Sequence, residues 1–187
     1  MEALQIAGRT EARSVVAVEM NSVAVQCMRR AHRMLERNKG VKCIGAAERL
    51  EIIEGDVLDV IPQLQARRKT PNNTVDDNND DLGLQFDRIL APRPKEGSMD
   101  GDLGKGDGGI QFLQALLPIL NPNGGECHWY DFVADHEFPD CIRTRTLLEG
   151  TCHQQGLDME VLHIANAGSV AMRQCRVCVD FRVSPRK

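Results

Sequence analysis

Ser14-Val15-Val16-Ala17-Val18-Glu19-Met20-Asn21-Ser22 reads as a β-strand that turns directly into a helix. Four small or β-branched apolar residues ending on an acid are what a buried parallel strand carries where its C-terminal end opens onto a site. Asn21 or Ser22 supplies the side-chain oxygen that caps the helix. Within it, Val23, Cys27, Met28, Ala31, Met34 and Leu35 are spaced as one buried face. Arg29, Arg30, Arg33 and Arg37 fall mostly on the remaining faces, and Gly40 closes the helix.

The same pattern repeats along the chain. Leu50–Glu54 is a second strand, followed by Gly55-Asp56 and a short helical turn through Leu64. Phe86–Leu90 is a third strand, and Gly109–Leu120 a helix with Ile110, Leu113, Leu116, Leu117 and Leu120 apolar. Asn121-Pro122-Asn123-Gly124-Gly125 is a turn. Glu126–Phe132 is a fourth strand, a helix from Asp135 or Glu137 reaches about Gln154, and Leu157–Ile164 and Cys175–Val183 are two last strands joined by a loop. The alternation predicts an α/β, doubly wound, mainly parallel sheet with helices on both faces and an antiparallel pair at its C-terminal edge.

The chain has 187 residues, 42% of them hydrophobic, which suits one domain with a sizeable core. Twenty-three Lys and Arg face 27 Asp and Glu, so a strongly basic nucleic-acid binder is excluded. Four of the acids come from Asp76-Asp77-Asn78-Asn79-Asp80-Asp81, and without them the two signs balance. That run sits in 66–85, which reads as an acidic, flexible, solvated insertion, and 95–109 reads as a mobile Gly-rich loop. No apolar run approaches the ~20 residues that span a bilayer, and Met1–Arg13 lacks the features of a secretion signal. Seven scattered cysteines fit a reducing compartment, and the cytoplasm is the expected location, with a mitochondrial or nuclear pool left open.

In open α/β sheets ligands lie at the C-terminal ends of the strands. Glu19 at such an end could accept both hydroxyl hydrogens of a ribose, or it could be a solvated loop acid. Asp56, at the end of the next strand, could accept from an adenine exocyclic amine, or it could cap the following helix. Together they have the spacing of an adenosine pocket. Ala91-Pro92-Arg93-Pro94-Lys95 presents carbonyl groups in a rigid geometry after the third strand, as a stiff surface turn also would. Cys175-x-x-Cys178 invites a zinc reading, but on a strand i and i+3 point to opposite faces and no second pair completes the set, so no metal is assigned. His128, Trp129 and Tyr130 line a base pocket or, more in keeping with their place on a strand, pack on the sheet.

Four blocks occur in an order seen in one family: Val15–Asn21, Ile53-Glu54-Gly55-Asp56, Phe86–Lys95, and Gly125–Phe132. They resemble the catalytic domain of the tRNA (guanine-37 N1)-methyltransferases and their wybutosine-synthesis relatives, class I transferases that use S-adenosyl-L-methionine. The resemblance runs from about Leu4 to Val183, and the last two blocks are its most specific part. It implies a Rossmann-like methyltransferase fold in which Glu19 holds the cofactor ribose, Met20 packs on the adenine, and Asp56 with Val57 meets the adenine edge. Pro92 and Pro94 would stand near the methionine part of the cofactor and the target base, with Pro92 where many members have Asn.

The reaction implied is methyl transfer to N1 of the guanine 3′ of the anticodon, after a general base removes the N1 proton. The family's first strand and its Asp-x-Phe-x-Gly-x-Gly loop have no counterpart here, so the sequence reads as beginning inside the domain. The catalytic base and most tRNA contacts are then expected upstream of Met1. A monomer that binds no membrane is expected. Three other readings remain open: aminocarboxypropyl transfer in the wybutosine branch, a dinucleotide-binding oxidoreductase, and a non-catalytic remnant acting as a binding module.

Overall fold

The structure, a computed structural model, describes residues 2–37, 45, 47–68, 85–92 and 108–187. Gly40, Cys43, Pro94 and most of the loops expected at 66–85 and 95–109 lie outside the described residues. The elements are α1 (Glu2–Arg9), β1 (Val15–Glu19), α2 (Ser22–Arg37), β2 (Leu50–Glu54), α3 (Val57–Arg68), β3 (Arg88–Pro92), α4 (Gly108–Leu116), β4 (Glu126–Ala134), α5 (Ile142–Gln154), β5 (Leu157–Ala171) and β6 (Gln174–Pro185). The chain divides into two compact units, Met1–Arg67 and Arg68–Lys187. The α/β alternation is as expected. The single sheet is instead a two-stranded parallel sheet, β1-β2, and a four-stranded mixed one, β3-β4-β6-β5, because no backbone ladder among the described residues joins β1 to β3.

In the first unit β1 and β2 pair in parallel from Val15 opposite Leu50 to Glu19 opposite Glu54. Leu4 and Ala7 of α1, a helix the sequence reading passed over, form a core with Val15 and Leu50, flanked by Met28 and Ala31 of α2. Arg49 fixes the end of α1 by donating to the carbonyls of Ala7 (2.7 Å), Thr10 (3.0 Å) and Ala12 (2.8 Å). The Ala7 carbonyl is one that a helix end leaves without an intrahelical partner, and the other two belong to the turn that follows. The buried face of α2 differs from the expected one: Val25 is buried, whereas Val23, Cys27 and Met34 are exposed. Apolar residues lie on both sides of this helix, and only packing against the strands selects the side. The turn expected to end at Leu64 is a full helix to Arg68, held by buried Val60, Ile61 and Leu64.

In the second unit β3 and β4 are parallel, and β6 pairs antiparallel with both β4 and β5. The expected third strand begins later, at Arg88, because Phe86 forms only an isolated bridge to Leu120. Pro118 lies in a 3-10 turn, Leu117–Ile119, so α4 stops at Leu116. Asp135–Glu137 is likewise a single 3-10 turn, and Cys141, at φ 44°, breaks the chain before α5 starts at Ile142. The loop expected between the last two strands is only the turn Met172-Arg173. Pairing with Gln174–Cys178 carries β5 through Ala165–Ala171, a stretch too weakly apolar to announce itself as a strand.

Helices α4 and α5 cover one face of this sheet. Phe112 meets Trp129 with ring centroids 5.8 Å apart, and Leu113, Leu120, Leu148, Val133, Val177, Val179, Phe181 and Val183 fill the layer between. Each such side chain contributes about 1.5–3 kcal/mol on burial. The turn before β4 is as the sequence predicts. Asn121 accepts from the Asn123 N–H (3.0 Å), and a Cβ on Gly125 would come within 2.5 Å of the Asn121 carbonyl oxygen.

Candidate functional site

Parallel pairing in strict register brings the C-terminal ends of β1 and β2 level, and the backbone N–H of Gly55 donates to the Glu19 carbonyl at 3.0 Å. Both strand-end acids singled out from the sequence therefore sit at one rim of the first unit. Glu19 Oε1 accepts from the Asn21 N–H at 2.8 Å, while Asn21 Oδ1 accepts from Val23 (3.0 Å) and Ala24 (3.2 Å) and is the helix cap. The Glu19 carboxylate is thus fixed in direction by one oxygen, and its other oxygen has no hydrogen bond among the described residues. Asp56 is exposed and accepts from the Leu58 N–H at 2.9 Å, so the capping role foreseen for it is real. Its carboxylate can still receive a second donor from outside, because one oxygen suffices for the cap.

Beside these acids Met20 is 71% exposed, a large apolar side chain with nothing of its own unit to cover it. Val57 begins α3 and is half-buried. The third acid of the rim, Glu54, is taken up by Arg29 of α2 at 3.3 Å. A Cβ on Gly55 would meet Val60 Cγ2 at 2.9 Å, so the turn between β2 and α3 is tight against its own helix. A ribose would find a fixed carboxylate here, an adenine edge a second one, and an adenine face an exposed thioether. This set of acceptors and apolar surface fits an adenosyl group.

In the second unit Pro92 ends β3, exposed, with buried Ala91 before it and Tyr130 opposite on β4. The trio expected to pack on the sheet, with a base pocket as the alternative, separates by strand alternation. Trp129 is 1% exposed on the helix-covered face, whereas His128 and Tyr130 are half-buried on the other. There the guanidinium of Arg176 lies 4.6 Å from the Tyr130 ring centroid. His128 Nδ1 and Asp180 Oδ1 are 2.6 Å apart, and the Cys178 thiol donates to the same oxygen at 3.2 Å. Burial, with Asp180 beside it, pushes the Cys178 thiol up to about 12. Cys175 packs with Val133, Cys141 and Val177, so the two cysteines of the Cys-x-x-Cys stretch do not converge.

The sequence reading missed this grouping because its members are some fifty positions apart; the one available signal was the matching alternation at 126/128/130 and 178/180/182.

No protein-family model matches the chain. Solved structures do. One is Trm5b from Pyrococcus abyssi, at 20% identity and TM-score 0.58 over 92% of this chain and 38% of that one. Another is TYW2 of M. jannaschii, solved with AdoMet, at 16% identity and TM-score 0.65 over 97% of this chain and 63% of that one. The M. jannaschii tRNA m1G37 methyltransferase matches at 20% identity and TM-score 0.54 over 93% of this chain and 37% of that one. The chain therefore spans between 37% and 63% of the length of these proteins. The likeness establishes the fold, the Rossmann-like α/β fold of these transferases.

Proposed function

We propose that this chain carries the cofactor-binding part of an S-adenosyl-L-methionine-dependent transferase acting on tRNA, with methyl transfer to N1 of the guanine 3′ of the anticodon as its reaction. The observation that carries the reading is the parallel register that ends β1 and β2 level at Glu19 and Glu54, with Asp56 two residues on at the same rim, in a fold shared with a protein solved with AdoMet. Glu19, held in place by the Asn21 N–H, accepts from the ribose hydroxyls through the oxygen left over. Met20 covers the adenine, and Asp56 with Val57 reads its edge. When bound, the cofactor supplies an electrophilic methyl carbon on a sulfonium. From the family resemblance alone, Pro92 and Pro94 are expected near the methionine end; Pro94 lies outside the described residues. The base that takes the N1 proton is not assigned to any residue of this chain.

A second reading, aminocarboxypropyl transfer from the same cofactor, has its own support. The TYW2 structure fits this chain at TM-score 0.65, against 0.58 for Trm5b.

Calorimetry with S-adenosyl-L-methionine tests the pocket. Glu19→Gln is expected to weaken binding by about 10- to 100-fold, the value of hydrogen bonds to a charged acceptor, and Asp56→Asn by less. Absence of any binding by the parent chain, or equal binding by both variants, would overturn the assignment. Mass spectrometry of tRNA treated with the protein and the cofactor separates the two reactions by the mass added.

A further inference from the structure

One group of side chains in the second unit brings three metal-ligating atoms together. His128 of β4 and Asp180 of β6 are directly opposed in the antiparallel register, which puts both on the same face. Cys178 is two residues from Asp180 and so shares that face. An imidazole nitrogen, a sulfur and a carboxylate oxygen, one from each residue, all lie within 4.8 Å of one another. Among the described residues this is the one group of three or more His, Cys, Asp or Glu so arranged.

The donor set selects the ion. Magnesium and calcium take oxygen ligands, whereas a nitrogen, a thiolate and a carboxylate together suit zinc and its cobalt(II) surrogate. A tetrahedral centre with bonds of about 2.0–2.3 Å spaces its ligand atoms roughly 3.3–3.8 Å apart. The pairs His128–Asp180 at 2.6 Å and Cys178–Asp180 at 3.2 Å need to open by about an ångström or less to reach that spacing. Two neighbouring strands of one sheet hold the three groups, so no loop has to fold to make the site. The His128 and Asp180 side chains are 25% and 23% exposed, which gives an ion access, while Cys178 is buried at the inner end. On the far side of β6, His163 of β5 stands opposite the same Asp180.

We propose that His128, Cys178 and Asp180 form a site for a zinc-class divalent ion, with three protein ligands and a fourth position open to water or to His163. Without the ion, the hydrogens on His128 and Cys178 hold the three groups around Asp180. On binding, the thiol proton leaves to solvent, His128 carries its remaining proton on Nε2, and the ion replaces both hydrogen bonds. The site ties β4 to β6.

Cobalt(II) titration of the full chain, in a Cys27→Ser, Cys43→Ser background that removes an exposed thiol and one outside the described residues, tests this. The expected result is a thiolate-to-cobalt charge-transfer band that saturates at one ion per chain and is displaced by zinc. Cys178→Ser is expected to abolish the band, whereas Cys175→Ser keeps it. His128→Gln and Asp180→Asn, checked for native circular dichroism, are expected to weaken binding by at least about tenfold. No band under a large excess of cobalt, or a band that survives Cys178→Ser, would overturn the site. If Cys178→Ser fails to fold, parental affinity in both His128→Gln and Asp180→Asn overturns it equally.

Discussion

The two faces of β4 and β6 are made by alternate residues of the same two strands, yet they have opposite characters. On one face Cys127, Trp129, Asp131 and Val133 meet Val177, Val179, Phe181 and Val183 beneath α4 and α5, and all are buried. On the other Glu126, His128 and Tyr130 meet Arg176, Cys178, Asp180 and Arg182, and every group but Cys178 keeps some exposure. Burial along β4 alternates without a fault over its nine residues, so a shift of one residue would exchange the faces entirely. The first face supplies the stability that fixes the second, and the second is free to vary in charge and chemistry. Asp131 is the one carboxylate on the buried face, held by the Thr144 hydroxyl at 2.8 Å and the Phe132 N–H at 2.8 Å.

Truncating one side chain on each face would break this contrast most forcefully. Phe181→Ala on the buried face is expected to cost about 3–5 kcal/mol in urea unfolding, because the surrounding layer can close the cavity only in part. Arg176→Ala on the other face loses mainly its contact with the Tyr130 ring and is expected to cost only about 0.5–1 kcal/mol. Comparable losses from the two would mean that something packs on the second face as tightly as α4 and α5 pack on the first.

Next in size is Gly125→Ala, at the point where the turn delivers the chain into β4 and sets which residues face inward. The new methyl would sit 2.5 Å from the Asn121 carbonyl oxygen and 2.8 Å from Leu120, so the turn must shift. A loss of about 1–3 kcal/mol is expected, with Trp129 fluorescence still that of a buried indole. Solvent-exposed fluorescence in the folded variant would show the register itself to have slipped.

Much of this arrangement was legible in the sequence, and the gaps have physical causes. β2 was readable to the residue and β1 to within Ser14, because each is a short apolar run bounded by polar or turn residues. The capping side chains Asn21 and Asp56 were readable because their oxygen lies next in sequence to the donors it serves. The buried face of α2 was not, since Val23, Cys27 and Met34 are as apolar as Val25 and Met28, and only the strands decide between them. Helix α1 went unread because the core it joins is made by distant Val15 and Leu50. Ala165–Ala171 is a strand through its partner rather than its composition. The grouping of His128 with Cys178 and Asp180 depends on antiparallel register, which hydrophobic periodicity alone leaves open.

The smallest expected effect concerns charge on the second face. Arg88 and Arg182 flank Glu126 from β3 and β6, donating to its two oxygens at 2.5 Å and 2.7 Å, and Glu160 stands opposite Arg182 on β5. The hydrogen bond from Arg182, then that from Arg88, holds the Glu126 carboxyl below its ordinary value of 4.5. A carboxyl lowered on folding binds fewer protons in the native state than in the unfolded one. Its contribution is therefore complete above the unfolded value and is lost as pH falls through the folded one. Both arginines are largely solvated, so the pair is screened by salt and its contribution is modest. Glu126→Gln is accordingly expected to lower stability slightly and by a constant amount at neutral pH, with the gap to the parent closing below pH 4.5. Urea midpoints across that range, with a chelator present, measure it. A gap that persists into acid would mean that Glu126 acts through its packing, and that the second face contributes to stability by more than charge.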